Sequence, residues 1–181
     1  DDHLTPDAVE RCVAAWTPGI VYLHTGRITM DAEGKEINRI SFEHLPRQDY
    51  FAENLERMYA THFKVIRRDA FTKVGLFDPR FDSAQDYDML MRIAFHYPSS
   101  AFLHLPAFVY HHRIHERQAT ERMNTHQQWS TETIQNEART RQDIRNGRFD
   151  KFLSIIMLSF GKQRQTLEAL QSLQETVRVP H

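Results

Sequence analysis

Phe77-Asp78-Pro79-Arg80-Phe81-Asp82-Ser83-Ala84-Gln85-Asp86-Tyr87-Asp88 runs directly into Met89-Leu90-Met91-Arg92-Ile93-Ala94-Phe95. The second piece has the spacing of a helix, and Asp86, Leu90 and Ile93 share one of its faces. Asp86 then sits at the helix start, on the side toward which the apolar face points. A carboxylate there is costly unless something uses it. The alternative is that Asp82, Asp86 and Asp88 cap the helix and complement its dipole. These residues alone leave both readings open.

Upstream, His62-Phe63-Lys64-Val65-Ile66-Arg67-Arg68 alternates like a strand. Residues 68–75 read as a short helix ended by Gly75. Arg67 and Arg68 lie where strand meets helix, a place that suits a diphosphate. A surface ion pair with Asp69 or Asp78 is the competing reading. Further back, residues 19–24 and 27–30 read as strand, with a turn over 31–35 that makes a hairpin. Residues 50–55 read as a short helix. At the front, Thr5 suits a helix cap and Pro6 the first helical position, with Val9, Val13 and Trp16 on the apolar face. Asp1-Asp2 precede that cap. Adjacent loop carboxylates are hard oxygen ligands for Mg²⁺ or Mn²⁺, or else a solvated terminus.

Downstream, residues 101–110 form an apolar stretch broken by Pro106, followed by His111-His112-Arg113-Ile114-His115. The His111/His115 spacing fits zinc only on a helix, and no Glu lies between them as base. One His completing a carboxylate metal site is the better fit; a loop cluster titrating near neutrality is the bland one. Residues 120–147 read as a solvent-facing helix or helical linker with sparse apolar positions: Met123, Trp129, Ile134, Ala138 and Ile144. The apolar run over 152–160, followed by Leu167, Leu170 and Leu173 at helical spacing, reads as the start of a βα unit.

Composition narrows the function classes. The 181 residues are 40% hydrophobic and 26% charged with net charge -1, which is globular and leaves no nucleic-acid footprint. One cysteine, Cys12, excludes an internal disulfide and a thiolate zinc cluster, and fits a reducing compartment. No apolar run is long enough to span a bilayer. The sequence opens on Asp1-Asp2 with no signal-peptide pattern, so we expect a fragment.

Taken in order, these pieces resemble the inverting family 2 glycosyltransferases of GT-A fold, over residues 1–116. Asp1-Asp2-His3-Leu4-Thr5-Pro6 is similar to the tail of that family's Asp-X-Asp-Asp run. Residues 67–78 resemble its segment leading to the acceptor side, with Leu76 at a usual Gly. Gln85-Asp86-Tyr87-Asp88 resembles its Glu-Asp motif, with Gln85 in place of Glu. Tyr110-His111-His112-Arg113-Ile114-His115 resembles its Tyr-X-X-Arg-X-His.

The resemblance implies an α/β fold: a partial GT-A mixed sheet with flanking helices, lacking the N-terminal nucleotide-binding half. It implies Asp86 as catalytic base, and Asp1 and His115 as ligands of a divalent metal, Mn or Mg. Asp2, Arg67, Arg68, Gln85 and Asp88 are its implied substrate-binding residues. Residues 1–118 would be the back of one transferase domain and 119–150 a helical linker. Residues 151–181 would be the first βα unit of a second such domain, with Ser159-Phe160-Gly161 at the family's Thr/Ser-Tyr-Asn.

The implied partners are a nucleotide-diphospho-sugar donor and a saccharide or lipid-linked acceptor, as in polysaccharide biosynthesis. The expected setting is cytoplasmic, at or near the inner face of a membrane, with the isolated fragment inactive and able to dimerise through exposed sheet edges. The rival readings are a non-catalytic binding or scaffold domain of the same fold and a metal-dependent hydrolase.

Overall fold

The central strand, β2 (Tyr22–Met30), is buried along almost its whole length. Its β-branched and aromatic residues suit a strand covered on both faces. The structure, a computed structural model, describes residues 2–42, 49–115 and 124–148, with Arg164, residues 166–168 and Gln171. Beside β2 runs β5 (Phe102–Arg113), parallel to it. On the other side, β4 (Lys64–Ile66) pairs antiparallel with Tyr22–His24, and β3 (Glu36–Ile40) pairs antiparallel with the second half of β2. The short β1 (His3–Leu4) closes the far edge against β5. The order β1-β5-β2-β3, with β4 also on β2, is a mixed open sheet. The expected α/β class, compatible with a partial GT-A-like fold, is therefore present.

The β2–β3 hairpin is the expected one. Asp31 organises its turn by accepting from the Lys35 N–H at 2.8 Å, and Gly34 takes φ +90°, a region that favours glycine. The apolar stretch around Pro106 is not broken. Thr25 pairs with Leu105 and Gly26 with Phe108, so Pro106 and Ala107 form an irregularity inside one continuous strand. Proline has no N–H to give, and a bulge is where a strand tolerates that. Gly26 sits beside it because a Cβ there would lie 2.9 Å from the Phe108 ring and 3.2 Å from the Ile40 carbonyl.

Helices cover one face. They are α2 (Tyr50–Glu56), α3 (Arg68–Val74), α4 (Gln85–His96) and α5 (Asn124–Arg145). Leu90, Ile93 and Met89 of α4 are fully buried against Tyr22, Tyr50 and Phe102. Two 3-10 turns, Pro79–Phe81 and Ser99–Ala101, lead into α4 and β5. Gly75 ends α3 as expected, with φ +84°. The other face of β5 is met by α1 (Ala8–Ala15) through Ala8, Ala107 and Val109.

Two expectations need correction here. The cap of α1 is Asp7, not Thr5, whose hydroxyl donates to the Asp7 carboxylate at 2.6 Å. Its buried face is Ala8 and Cys12, while Val9 and Val13 are 60% and 67% exposed. Small side chains let the helix sit close to the strand beneath, and the larger valines point out. The second correction concerns α5. It exists, but one side of it is not solvent-facing: Ser130, Ile134 and Ala138 are buried.

Residues Asp1–Asn146 form one unit and Gly147–His181 another. In the second unit, Arg164, residues 166–168 and Gln171 are helical, as expected for 163–174, and Arg164 pairs with Glu168 at 2.9 Å. The expected strand over 152–160 lies outside the described residues. Among the described residues, no helix is long and apolar enough to cross a membrane.

Candidate active site

The site forms where the middle of the sheet meets the start of α4. Thr25 begins the construction. Its carbonyl accepts from the Thr61 hydroxyl at 2.5 Å, and its own hydroxyl oxygen accepts from the Phe63 N–H at 2.8 Å. These bonds hold the segment before β4 onto the irregular point of β2, which places His62 and Lys64. Both then face the helix mouth. Lys64 Nζ donates to Asp86 Oδ2, and His62 Nε2 lies 3.7 Å from the same oxygen.

The Lys64 side chain is 10% exposed and that of Asp86 is 39% exposed. The cation is therefore buried beneath the carboxylate, which still reaches solvent. Burial acts to raise the Asp86 pKa, but the Lys64 ammonium, then His62 and the Tyr87 N–H, outweigh it and leave it lowered. The same burial lowers the Lys64 pKa, and Asp86 offsets part of that. Burial and the adjacent Lys64 push His62 down to about 4, so it is neutral at neutral pH. The His62–Asp86 contact is thus no ion pair there.

A polar row continues along β5. The Tyr110 ring stacks on His62 with centroids 5.1 Å apart. Its hydroxyl donates to Asp2 Oδ2 at 2.5 Å. Asp2 also accepts from the Arg113 N–H at 2.8 Å and meets His112 Nδ1 at 3.2 Å. Burial raises the Asp2 pKa, but these three partners lower it further, and the net shift is downward. Arg27, opposite Tyr110 on β2, has a buried Nε with no partner among the described residues.

The sequence-derived residues divide sharply. Asp86 stands at the centre. Asp2 belongs to the row beside it, as the acceptor that ties the N-terminal end to β5. Asp88 does not face the site: it is buried, and its carboxylate takes two bonds from Arg92, at 2.6 and 3.0 Å. Arg92 in turn donates to the Val74 and Leu76 carbonyls, so Asp88 locks α4 to the end of α3. Arg67 donates to Asp69 at 2.6 Å, the surface ion pair that was one of its two readings, and Arg68 is exposed beside it. Gln85 is exposed on the outer side of the first turn of α4.

His115 lies two residues past β5, half-buried. Asp1 lies outside the described residues. Among the described residues, no group of three or more His, Cys, Asp or Glu is placed to hold a metal ion. His111 stacks on His3 at 4.5 Å instead of pairing with His115.

Three contributors escaped sequence reasoning, His62, Lys64 and Arg27, and Tyr110 was noted only as the start of a motif. The alternation in 62–66 puts His62 and Lys64 on one side of the chain, so a signal was there. What it lacked was the pairing of β4 with β2, which aims that side at Asp86.

No family model matches the chain. A chondroitin synthase of Pasteurella multocida (strain Pm70) is 24% identical over 155 residues, covering 84% of this chain and 15% of that protein. The O-antigen biosynthesis protein RfbC of Myxococcus xanthus is 28% identical over 116 residues, covering 62% of this chain and 8% of that protein. The likeness is to glycosyltransferase-like proteins. The chain spans less than a sixth of the length of either relative.

Proposed function

We propose that this chain carries the acceptor-activating part of an inverting glycosyltransferase with a nucleotide-diphospho-sugar donor. The observation that carries it is Asp86: a half-exposed carboxylate at a helix mouth, held from below by a buried ammonium. Its free edge is where an acceptor hydroxyl can reach. The acceptor O–H is deprotonated by Asp86 as its oxygen bonds to the anomeric carbon. The bond from that carbon to the diphosphate oxygen breaks, and its electron pair leaves with the nucleoside diphosphate. A single displacement inverts the anomeric centre.

Neutral His62 and buried Lys64 fix the carboxylate in place during this step, a positioning role. A divalent ion held by Asp1 and His115 would neutralise charge on the leaving diphosphate when bound.

The test is Asp86→Asn in the full-length protein. We expect transfer to fall about 10²- to 10⁴-fold with nucleotide-sugar binding, followed by calorimetry, unchanged. Retained turnover removes the base assignment. One observation favours a second reading. The Lys64 pairing weakens Asp86 as a base, which suits a non-catalytic binding domain of the same fold. Nucleotide-sugar binding with no transfer to any acceptor would establish that reading instead.

A further inference from the structure

Asp86 has a second side. A cleft of about 360 Å³ opens there, walled by the end of α2, the start of α4 and the first half of α5. From α5 it is lined by Gln127, Thr131 and Gln135. They are four residues apart, so they form one row along the helix. All three are half-buried, and the neighbouring row of Ser130, Ile134 and Ala138 is in the core. The far wall carries Glu56 and Arg57.

The polar groups of this cleft are mostly uncommitted. Gln127, Thr131 and Glu56 have no hydrogen-bond or ion-pair partner among the described residues. Arg57 is held only by ring faces, 4.4 Å from the Tyr59 centroid and 5.6 Å from that of Phe42. Gln135 reaches the Tyr87 hydroxyl at a long 3.4 Å, and that hydroxyl donates to the Asn54 carbonyl at 2.6 Å. Amides, a hydroxyl, a carboxylate and a guanidinium thus converge on one space with Asp86 in its wall. Side-chain amides and hydroxyls both donate and accept, which matches a ligand made of hydroxyl groups. The wall is also firmly placed. Ser83 bonds His126 at 2.9 Å and Ser130 at 3.2 Å, and His126 lies 3.4 Å from Asp82. These contacts pin the start of α5 to the approach of α4.

We propose that this cleft is the subsite for the saccharide acceptor, and that the Gln127-Thr131-Gln135 row of α5 reads its hydroxyls. The inference rests on Asp86 being the acceptor base. It adds that α5 selects the acceptor, by holding the sugar ring while one hydroxyl is presented to Asp86.

The experiment uses the full-length protein and 4-nitrophenyl β-glycosides of glucose, galactose, N-acetylglucosamine, N-acetylgalactosamine and glucuronate. Saturation-transfer NMR measures glycoside binding directly, with no dependence on turnover. We expect at least one glycoside to bind and the Gln127→Ala/Gln135→Ala double variant to weaken it about tenfold, the loss of one to two hydrogen bonds. We also expect nucleotide-sugar binding to be unchanged. Thr131→Val keeps the shape and removes the hydroxyl, so it checks that the double variant has not merely loosened α5.

Two results overturn the proposal: no glycoside binds the wild type, or the variants bind as well as the wild type. Binding that weakens as expected in a protein inactive with every donor supports a saccharide-binding cleft while removing the transferase reading and, with it, the acceptor role. Transfer that persists with unchanged acceptor KM in the variants does the reverse.

Discussion

Lys64 acts on Asp86 in two opposed ways. Its ammonium holds the carboxylate in one orientation, and it also makes that carboxylate a weaker base by lowering its pKa. A base works when deprotonated, so activity falls as pH drops through its pKa. Lys64→Met removes the cation and leaves burial, which pushes the Asp86 pKa up. We therefore expect the acid limb of the kcat/KM–pH profile to move to higher pH in Lys64→Met. A limb that stays in place means Asp86 does not control the rate. His62 titrates at about 4 and contributes to the same side of the profile; His62→Gln separates the two.

At this scale the sequence was half legible. Asp86 stood out because helical spacing put a carboxylate on an apolar face. Asp88, two residues on, carried the same chemistry but had its cation on its own helix at Arg92. Sequence distance alone could not tell a carboxylate aimed at a site from one tied to its neighbour.

Among the elements, the α3–α4 junction depends on one buried pair. The Asp88 side chain is 4% exposed and that of Arg92 is 14% exposed. Removing one partner of such a pair strands the other charge in a dry place. Asp88→Ala should destabilise the chain by about 3–5 kcal/mol, read from urea unfolding. A stable Asp88→Ala protein with impaired substrate binding would return Asp88 to the role its motif suggested. The end of α3 and the hairpin turn were the legible elements, because Gly75 and Gly34 mark positive φ locally. The continuity of β5 was not. Pro106 is a breaker by local rules, and only the partner strand β2 shows that a bulge absorbs it. The buried face of α1 was misread for a related reason: a close approach to a strand favours Ala8 and Cys12 over the larger Val9 and Val13.

For the molecule as a whole, the decisive addition is α5. Its mixed, polar sequence concealed a narrow buried stripe of Ser130, Ile134 and Ala138. Ile134→Ala should destabilise the first unit by roughly 2–5 kcal/mol, measured by chemical denaturation. An exposed position would change by no more than about 0.5 kcal/mol, and such a result would mean that this face of α5 is not packed in the core. The α/β class was implied by the family resemblance, but the packing of α5 depends on a surface that α2 and α4 build together. No window of local sequence contains that surface.

The N-terminal end closes against residues more than a hundred positions away: Asp2 bonds Tyr110 and Arg113, and β1 pairs with His111 and Tyr110. A ribosome adding about 5–20 residues per second needs roughly 5–20 seconds to make the stretch between them. During that time the hairpin can form, but Asp2 has nothing to bind and the polar row beside Asp86 does not exist. Asp2 and β1 are made long before their partners, and are therefore among the last of the described residues to take their native places. A nascent chain stalled before residue 113 carries Asp86 without the polar row that stands beside it.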